Sequence, residues 1–524
     1  MQENSFQSSS LTEKQIEAAI ASSRTNHYTY MIIAVFLFLL ANTGGYIALT
    51  AIPIFMYEPK YLCYSKSTQA FTVNCSQSEI CDKTLNIDYI PNPDNINLKT
   101  FITSFDISCN KPKKVFLETG YFIGGLLGIA VIPFLISNTG CLNSIIIGYI
   151  ILFFSSCFLS FVRQYAFGVI LYILFNMALS ILITCTPQYL TEMVDPKYRA
   201  LFICIQFLSI GTSGYLSVLI AYTSYNYKYV ISAAAGISLV FAIVFKMFLV
   251  DSIRTSFIRG RQSEILKNLE YIARINKSQL EYKVWRDHNV NSAAIMNEEG
   301  AKKENQYTSF ISIWKYPSQV KLIVLFSIAS FIANYGLLLI QLEIKKQNNF
   351  FSSLCIAFLC DIIGILLGSL SSEIPFLKRK LSFAIINGAL IIAYLFNAIF
   401  YKKHYTGMFI LMRIFSYALF SNYTVYNFEA YPTMTRPIGV SINRLFARVF
   451  NLWTPYLMIS HPRTGYILGV FFCAAIVGML TVFWIEETKG EVIKEFPIEM
   501  YDGNKEKNEE SDLLIKEEDN FKEK

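Results

Sequence analysis

Residues 165–199 read YAFGVILYILFNMALSILITCTPQYLTEMVDPKYR. From Tyr165 to Thr191 no acidic or basic side chain interrupts the run, and then Glu192, Lys197 and Arg199 arrive within one short polar cap. A helix needs about 20 mostly apolar residues to cross a bilayer core. This stretch therefore predicts a membrane span over 165–190 that meets water at Glu192. Working outward, runs of the same texture predict further spans at 28–50, 115–136, 142–161, 199–222, 230–250, 320–342, 350–371, 381–400, 406–427, 437–460 and 465–485. That gives six spans, a long polar stretch and six more. Unpaired backbone groups are not tolerated in lipid, so the spans are expected to be helices. The fold class expected is an all-α membrane protein of twelve transmembrane helices in two six-helix halves.

The whole chain agrees with this pattern. Of its 524 residues 53% are hydrophobic and 16% charged, where soluble proteins carry roughly a quarter charged residues. Mean hydropathy is +0.40. Disorder, coiled coil and collagen-like fibre are excluded, and an ordinary soluble enzyme is disfavoured. The net charge of +7 would suit nucleic acid only as a basic face on a water-exposed domain, and no nucleic-acid partner is expected.

The domain plan follows. A polar tail occupies 1–27, with no cleavable signal peptide, because the apolar stretch after it is too long for a signal core. A first bundle covers 28–250, a linker 251–319, a second bundle 320–485 and a tail 486–524. In the linker, Ile265, Leu269, Ile272 and Ile275 recur at helical spacing, which predicts an amphipathic helix over 261–275 under the bundle or on the lipid surface. Arg254, Arg259, Arg261, Lys267 and Arg274 in the linker, with Lys378, Arg379 and Lys380, put that side in the cytoplasm together with both termini. The 57–114 loop then faces the opposite compartment. It holds Cys63, Cys75, Cys81 and Cys109, which predicts two disulfides with three pairings open. Asn74-Cys75-Ser76 is a glycosylation sequon on the same loop. Such a loop favours the plasma membrane or an endomembrane.

Two polar caps repeat. Pro187-Gln188-Tyr189-Leu190-Thr191-Glu192, with Pro196 and Arg199, closes the fourth span; Glu429-Ala430-Tyr431-Pro432-Thr433, with Arg436, closes the tenth. Asp251-Ser252-Ile253-Arg254 follows the sixth span and Glu487-Thr488-Lys489-Gly490 the last. At these positions the chain resembles the major facilitator superfamily, and with its cysteine-bearing loop it is similar to the organic cation and anion transporters, relatives of the sugar porters. The resemblance implies alternating access, with Glu192, Arg199, Glu429, Arg436 and Arg413 as gating charges on one side of the membrane. The chain departs from the family between spans two and three. There Leu135–Asn143 keeps Gly140 at the turn but lacks the family's charged positions, and the arginine usually found early in span four is Tyr172.

A charge near the midplane of a span is by default a functional hypothesis. Arg448 matches the place where the organic cation members carry aspartate and the anion members arginine, so the resemblance implies a small organic anion as substrate. Arg444, one turn away, shares its face. The competing reading is an ion pair between Arg448 and Asp361. Tyr335, Tyr417 and Trp453 are further lining candidates, since aromatic rings can stack on an organic ion. No cofactor or metal is expected, the lipid bilayer is the partner, coupling would be to a counter-anion or a proton, and a monomer is expected. Two other classes stay open: a transporter-shaped binding or scaffold protein that does not cycle, and a sugar porter.

Overall fold

The computed structural model describes residues 28–59, 61–65, 70–75, 80–81, 89–91, 98–195, 197–259, 261–277, 311–343, 350–400, 405–452, 464–489, 494 and 497. Twelve long helices among them correspond to the expected spans. They are span one (Thr29–Thr50, with a break at Tyr46), two (Lys111–Thr139), three (Cys141–Phe161), four (Tyr165–Met193), five (Arg199–Ser224) and six (Tyr227–Phe248). The second half supplies seven (Pro317–Glu343), eight (Phe350–Glu373), nine (Lys378–Phe400), ten (Tyr405–Ala430), eleven (Arg436–Asn451) and twelve (Thr464–Val482). The tail 1–27, most of the tail beyond Lys489 and Trp453 lie outside the described residues, and so does the side chain of Tyr335.

Local chemistry sets the ends. Asn110 accepts a hydrogen bond from the Lys113 N–H and Pro112 fills the first turn of span two, where its missing N–H costs nothing. Asn226 caps span six through the Lys228 N–H. Gly140, at φ +94°, makes the turn into span three, and a Cβ there would lie 1.7 Å from Asp251 Oδ2. Large apolar side chains such as Phe134, Phe161, Leu219 and Met247 point outward, as lipid-facing residues do. Polar and charged groups collect inside.

Span eleven shows this inversion best. Arg436, Asn443, Arg444, Arg448 and Asn451 are buried, while Phe446, Val449 and Phe450 are exposed. A water-soluble helix would do the reverse. Such a face in a membrane lines a polar interior.

The 57–114 loop departs from the all-helical expectation. It carries a three-stranded antiparallel sheet in the order β2-β1-β3, with β1 at Tyr61–Ser65, β2 at Ala70–Cys75 and β3 at Tyr89–Pro91. The strands are too short and too mixed in composition for a period-two signal to stand out. Cys81 is bonded to Cys109, and Cys63 is also disulfide-bonded. Asn74 and Cys75 belong to β2, with their side chains outside the described residues.

The linker helix (Gln262–Asn276) buries Ile265, Leu269 and Ile272. Asn276 Oδ1 accepts the Tyr30 N–H at 2.9 Å, so of the two placements left open by the sequence the helix takes the one under the bundle, against span one.

Candidate functional site

Two sets of buried charges stand out, one at the end of the bundle beside the linker and one deeper in the spans. At the linker end the two repeated polar caps reach across the seam between the halves. Glu192, at the end of span four, accepts from Arg436 Nη1 of span eleven at 3.3 Å. Glu429, at the end of span ten, accepts from Arg199 Nη1 of span five at 3.4 Å. Each half thus gives a carboxylate to the other half's arginine. All four side chains are at most 2% exposed, so these pairs are shielded from solvent screening. Glu192 also accepts from Thr255 Oγ1 at 2.7 Å and Gln188 Nε2 at 3.1 Å.

Arg379, one of the basic residues after span eight that the sequence reading used for orientation, is a further member of this network. Its Nε and Nη2 donate to the two Glu429 oxygens at 3.0 and 3.1 Å, and its Nη1 meets Glu373 at 3.1 Å. Thr488 Oγ1 donates to Glu429 at 2.8 Å, and Lys489 lies 3.9 Å from Glu373. The signal in the sequence is Glu373 and a basic triplet directly after span eight, with the Glu487-Thr488-Lys489 segment returning after span twelve. Nothing in spacing pairs them.

The loop between spans two and three is tied down by residues that follow span six. Asp251 Oδ1 accepts from the Leu142 N–H at 2.9 Å, and Arg259 donates to the Asn138 carbonyl at 2.6 Å while lying 3.7 Å from Asp251. Burial pushes the Asp251 carboxyl up to about 6, outweighing its two N–H bonds and the Arg259 charge.

Deeper in the second half, Asp361 of span eight receives Arg413 Nε at 2.6 Å and Nη2 at 2.7 Å, a two-pronged pair completely enclosed by protein. Two expectations change here. Asp361 does not pair with Arg448, because Arg413 already occupies both of its oxygens. Arg413 is not among the charges at the seam: its carboxylate partner lies in its own half, and the guanidinium also donates to the Ala357 carbonyl and lies over the Phe358 and Tyr417 rings at 5.9 and 5.5 Å. Tyr417 is buried against this pair.

Glycine contacts fix how this region maps onto the first half. A Cβ at Gly124 or Gly128 would lie 2.1 or 2.5 Å from the Ile173 or Met177 carbonyl oxygen; at Gly364 or Gly368 it would lie 2.4 or 2.1 Å from that of Ile414 or Ala418. The two G-x-x-x-G faces make equivalent crossings, spans two on four and eight on ten. In that register Tyr121 corresponds to Asp361 and Tyr172 to Arg413. The Tyr121 and Tyr172 rings pack 5.6 Å apart. One half holds an ion pair where the other holds an aromatic pair.

Arg444 and Arg448 reach from span eleven into the first half. Arg444 Nη1 donates to the Ile183 carbonyl at 3.0 Å and Thr184 Oγ1 at 2.8 Å, and its guanidinium lies over the Phe428 ring at 5.5 Å. Its Nη2 is buried without a partner. Arg448 lies against span two at Gly125, where an added Cβ would meet its Nε at 3.5 Å. Both side chains are buried, and among the described residues neither has a carboxylate within 4 Å. A buried cation is normally paired, so these two are exceptional.

Among known proteins, the Major Facilitator Superfamily profile matches residues 114–449. No curated protein sequence matches the chain. Among solved structures, the proton:xylose symporter XylE bound to 6-bromo-6-deoxy-D-glucose superposes with a TM-score of 0.60 at 13% identity, covering 89% of this chain and 98% of that one. The partially occluded inward-open form of the xylose transporter XylE from E. coli gives 0.59 at 14% identity, covering 89% and 99%. At such identities the likeness is one of fold. With twelve spans in two halves, charged caps crossed between them and a family profile running through both, the chain belongs to the major facilitator superfamily of membrane transporters.

Proposed function

We propose that the protein carries a small organic anion across its membrane by alternating access, as a member of the organic ion branch. The observation that supports this is the pair of buried guanidiniums on span eleven, neither of which has a carboxylate within 4 Å among the described residues. Arg444 is already positioned by Ile183 and Thr184, which leaves Arg448 as the main counter-charge. A guanidinium fork matches a carboxylate because two parallel N–H bonds meet its two oxygens. A bound anion would supply the missing charge, and the bare site would hold it more strongly than water does because the surroundings are apolar. Tyr121 and Tyr417, buried in spans two and ten, are the aromatic candidates to pack against the organic part.

The sugar-porter reading draws on the shared fold with XylE, a xylose transporter. A neutral sugar, however, gives two unneutralised arginines nothing to bind as ions. The scaffold reading leaves the crossed charges at the seam without a cycle in which to break and reform.

Radiolabelled uptake and counterflow in proteoliposomes separate the three. A panel of organic anions and pentose sugars is run with the parent chain and with Arg448→Asp. Anion exchange that falls about tenfold or more in the variant is expected, the loss of at least one charge-assisted contact. Anion exchange unchanged in Arg448→Asp removes the proposal. Sugar exchange indifferent to the substitution would favour the sugar porter, and binding without any exchange the scaffold.

A further inference from the structure

At the linker end of the seam lies a cleft of about 820 Å³ that neither the crossed ion pairs nor the proposed anion site uses. Tyr28, Asp195, Lys197 and Tyr198 line it from the first half, and Glu373, Pro375, Lys378 and Lys489 from the second. Its walls therefore come together only while the seam is closed.

The charges in the cleft do not cancel. Glu373 is already taken by Arg379 at 3.1 Å and Lys489 at 3.9 Å. Asp195 also has a partner of its own. Lys489 donates to the Ser372 and Ile374 carbonyls, which fixes its ammonium at the cleft edge. Lys197 and Lys378 are exposed, and among the described residues neither has a carboxylate within 4 Å. One belongs to each half, directly before span five and at the start of span nine. Beside them Tyr28 and Tyr198 form an edge-to-face pair with centroids 5.6 Å apart, and the Lys197 ammonium sits 5.3 Å over the Tyr198 ring.

We infer that this cleft binds a polyphosphorylated ring compound, either a nucleotide or the headgroup of a phosphorylated inositol lipid, and that the ligand bridges the halves. Ammonium groups on two sides suit separate phosphates on one molecule, and lysine binds phosphate as a compact point charge. The exposed Tyr28 ring, held edge-to-face by Tyr198, supplies an aromatic contact for the ring that carries them. The residues sit at or just beyond span ends, so a lipid headgroup and a soluble anion are both candidates to occupy the cleft. A ligand held by both halves favours the closed seam by its differential affinity for that state, and so regulates the cycle from outside the substrate site. This holds whichever substrate the protein carries.

The test is binding to the purified full chain, followed by thermophoresis at low salt. The probes are inorganic pyrophosphate, ATP and dioctanoyl phosphatidylinositol 4,5-bisphosphate, with dioctanoyl phosphatidylcholine as the neutral control. At least one phosphorylated probe is expected to bind and to weaken as salt rises. Lys197→Gln alone and Lys378→Gln alone should each weaken it about three- to tenfold, the effect of one cation–phosphate contact. Lys267→Gln, an exposed lysine on the linker helix, should leave it unchanged. Stronger binding of ATP than of the lipid assigns the soluble source, and the reverse assigns the headgroup. Binding by none of the three, or binding indifferent to both substitutions, overturns the inference. Sensitivity to only one of the two lysines overturns the bridging of the halves.

Discussion

Arg413 and Arg448 lie on neighbouring helices and are both buried, yet their surroundings treat them differently. Arg413 has both oxygens of Asp361 at 2.6 and 2.7 Å, whereas among the described residues no carboxylate lies within 4 Å of Arg448. Removing one partner of a buried pair leaves an uncompensated charge and costs about 3–5 kcal/mol. Removing a buried cation that, among the described residues, has no carboxylate to neutralise it takes away a cost already present. Asp361→Asn should therefore lower thermal stability in detergent by that amount, and adding Arg413→Met should recover part of it. Arg448→Met should unfold at the parent temperature or above it while losing function, the trade expected of a site kept for binding rather than for folding. A destabilised Arg448→Met beside an unaffected Asp361→Asn would reverse the two roles. The sequence could not have decided this. Helical spacing says which face a residue occupies but not which of two arginines, 52 and 87 positions downstream in the chain, that face will meet.

At the scale of helices, the close crossings carry the design. Gly124 and Gly128 stand out in the sequence as small residues that let helices approach, but Gly364 and Gly368 have the same spacing and gain meaning only when span ten lies against them. Contact with a backbone oxygen leaves no soft atom to yield. Gly368→Ala places a methyl 2.1 Å from the Ala418 carbonyl oxygen and must push the helices apart. Gly236 also lies inside a helix, yet has nothing within 4 Å of an added Cβ. There alanine only removes freedom from the unfolded chain and should be neutral to stabilising, by up to about 1 kcal/mol. Thermal unfolding of the two variants should move in opposite directions, with Gly368→Ala losing about 1–3 kcal/mol as overpacking does. Equal effects would mean that the crossing is loose. The number, order and approximate ends of the spans were legible for a simpler reason: apolar length in lipid admits few alternatives. The small sheet in the 57–114 loop was not, because short strands outside the bilayer leave no such mark.

Across the whole molecule, the two halves repeat one element and use it unequally. Glu192 holds one arginine across the seam, and that arginine has further support, since Arg436 also donates to the Phe428 and Tyr431 carbonyls at 2.9 Å each. Glu429 holds Arg199 across the seam and Arg379 within its own half. Arg379 keeps Glu373 if Glu429 loses its charge, but among the described residues Arg199 has no other carboxylate. The repeat is therefore symmetric in sequence and lopsided in energy: Glu429→Gln strands a buried cation at the seam, whereas Glu192→Gln leaves Arg436 with two carbonyls. The seam should open more readily in Glu429→Gln. Cys204 offers a reporter already in place, because it is buried in span five with its thiol 3.9 Å from the Ile365 carbonyl of the opposite half. Labelling of Cys204 by a small maleimide, followed by peptide mass, should quicken about tenfold or more in Glu429→Gln, since each 1.4 kcal/mol of lost closure is a factor of ten in the open population. Glu192→Gln should quicken it less. If the two variants label alike, the halves share the closing energy evenly; if neither labels faster than the parent, these ion pairs do not hold the seam shut.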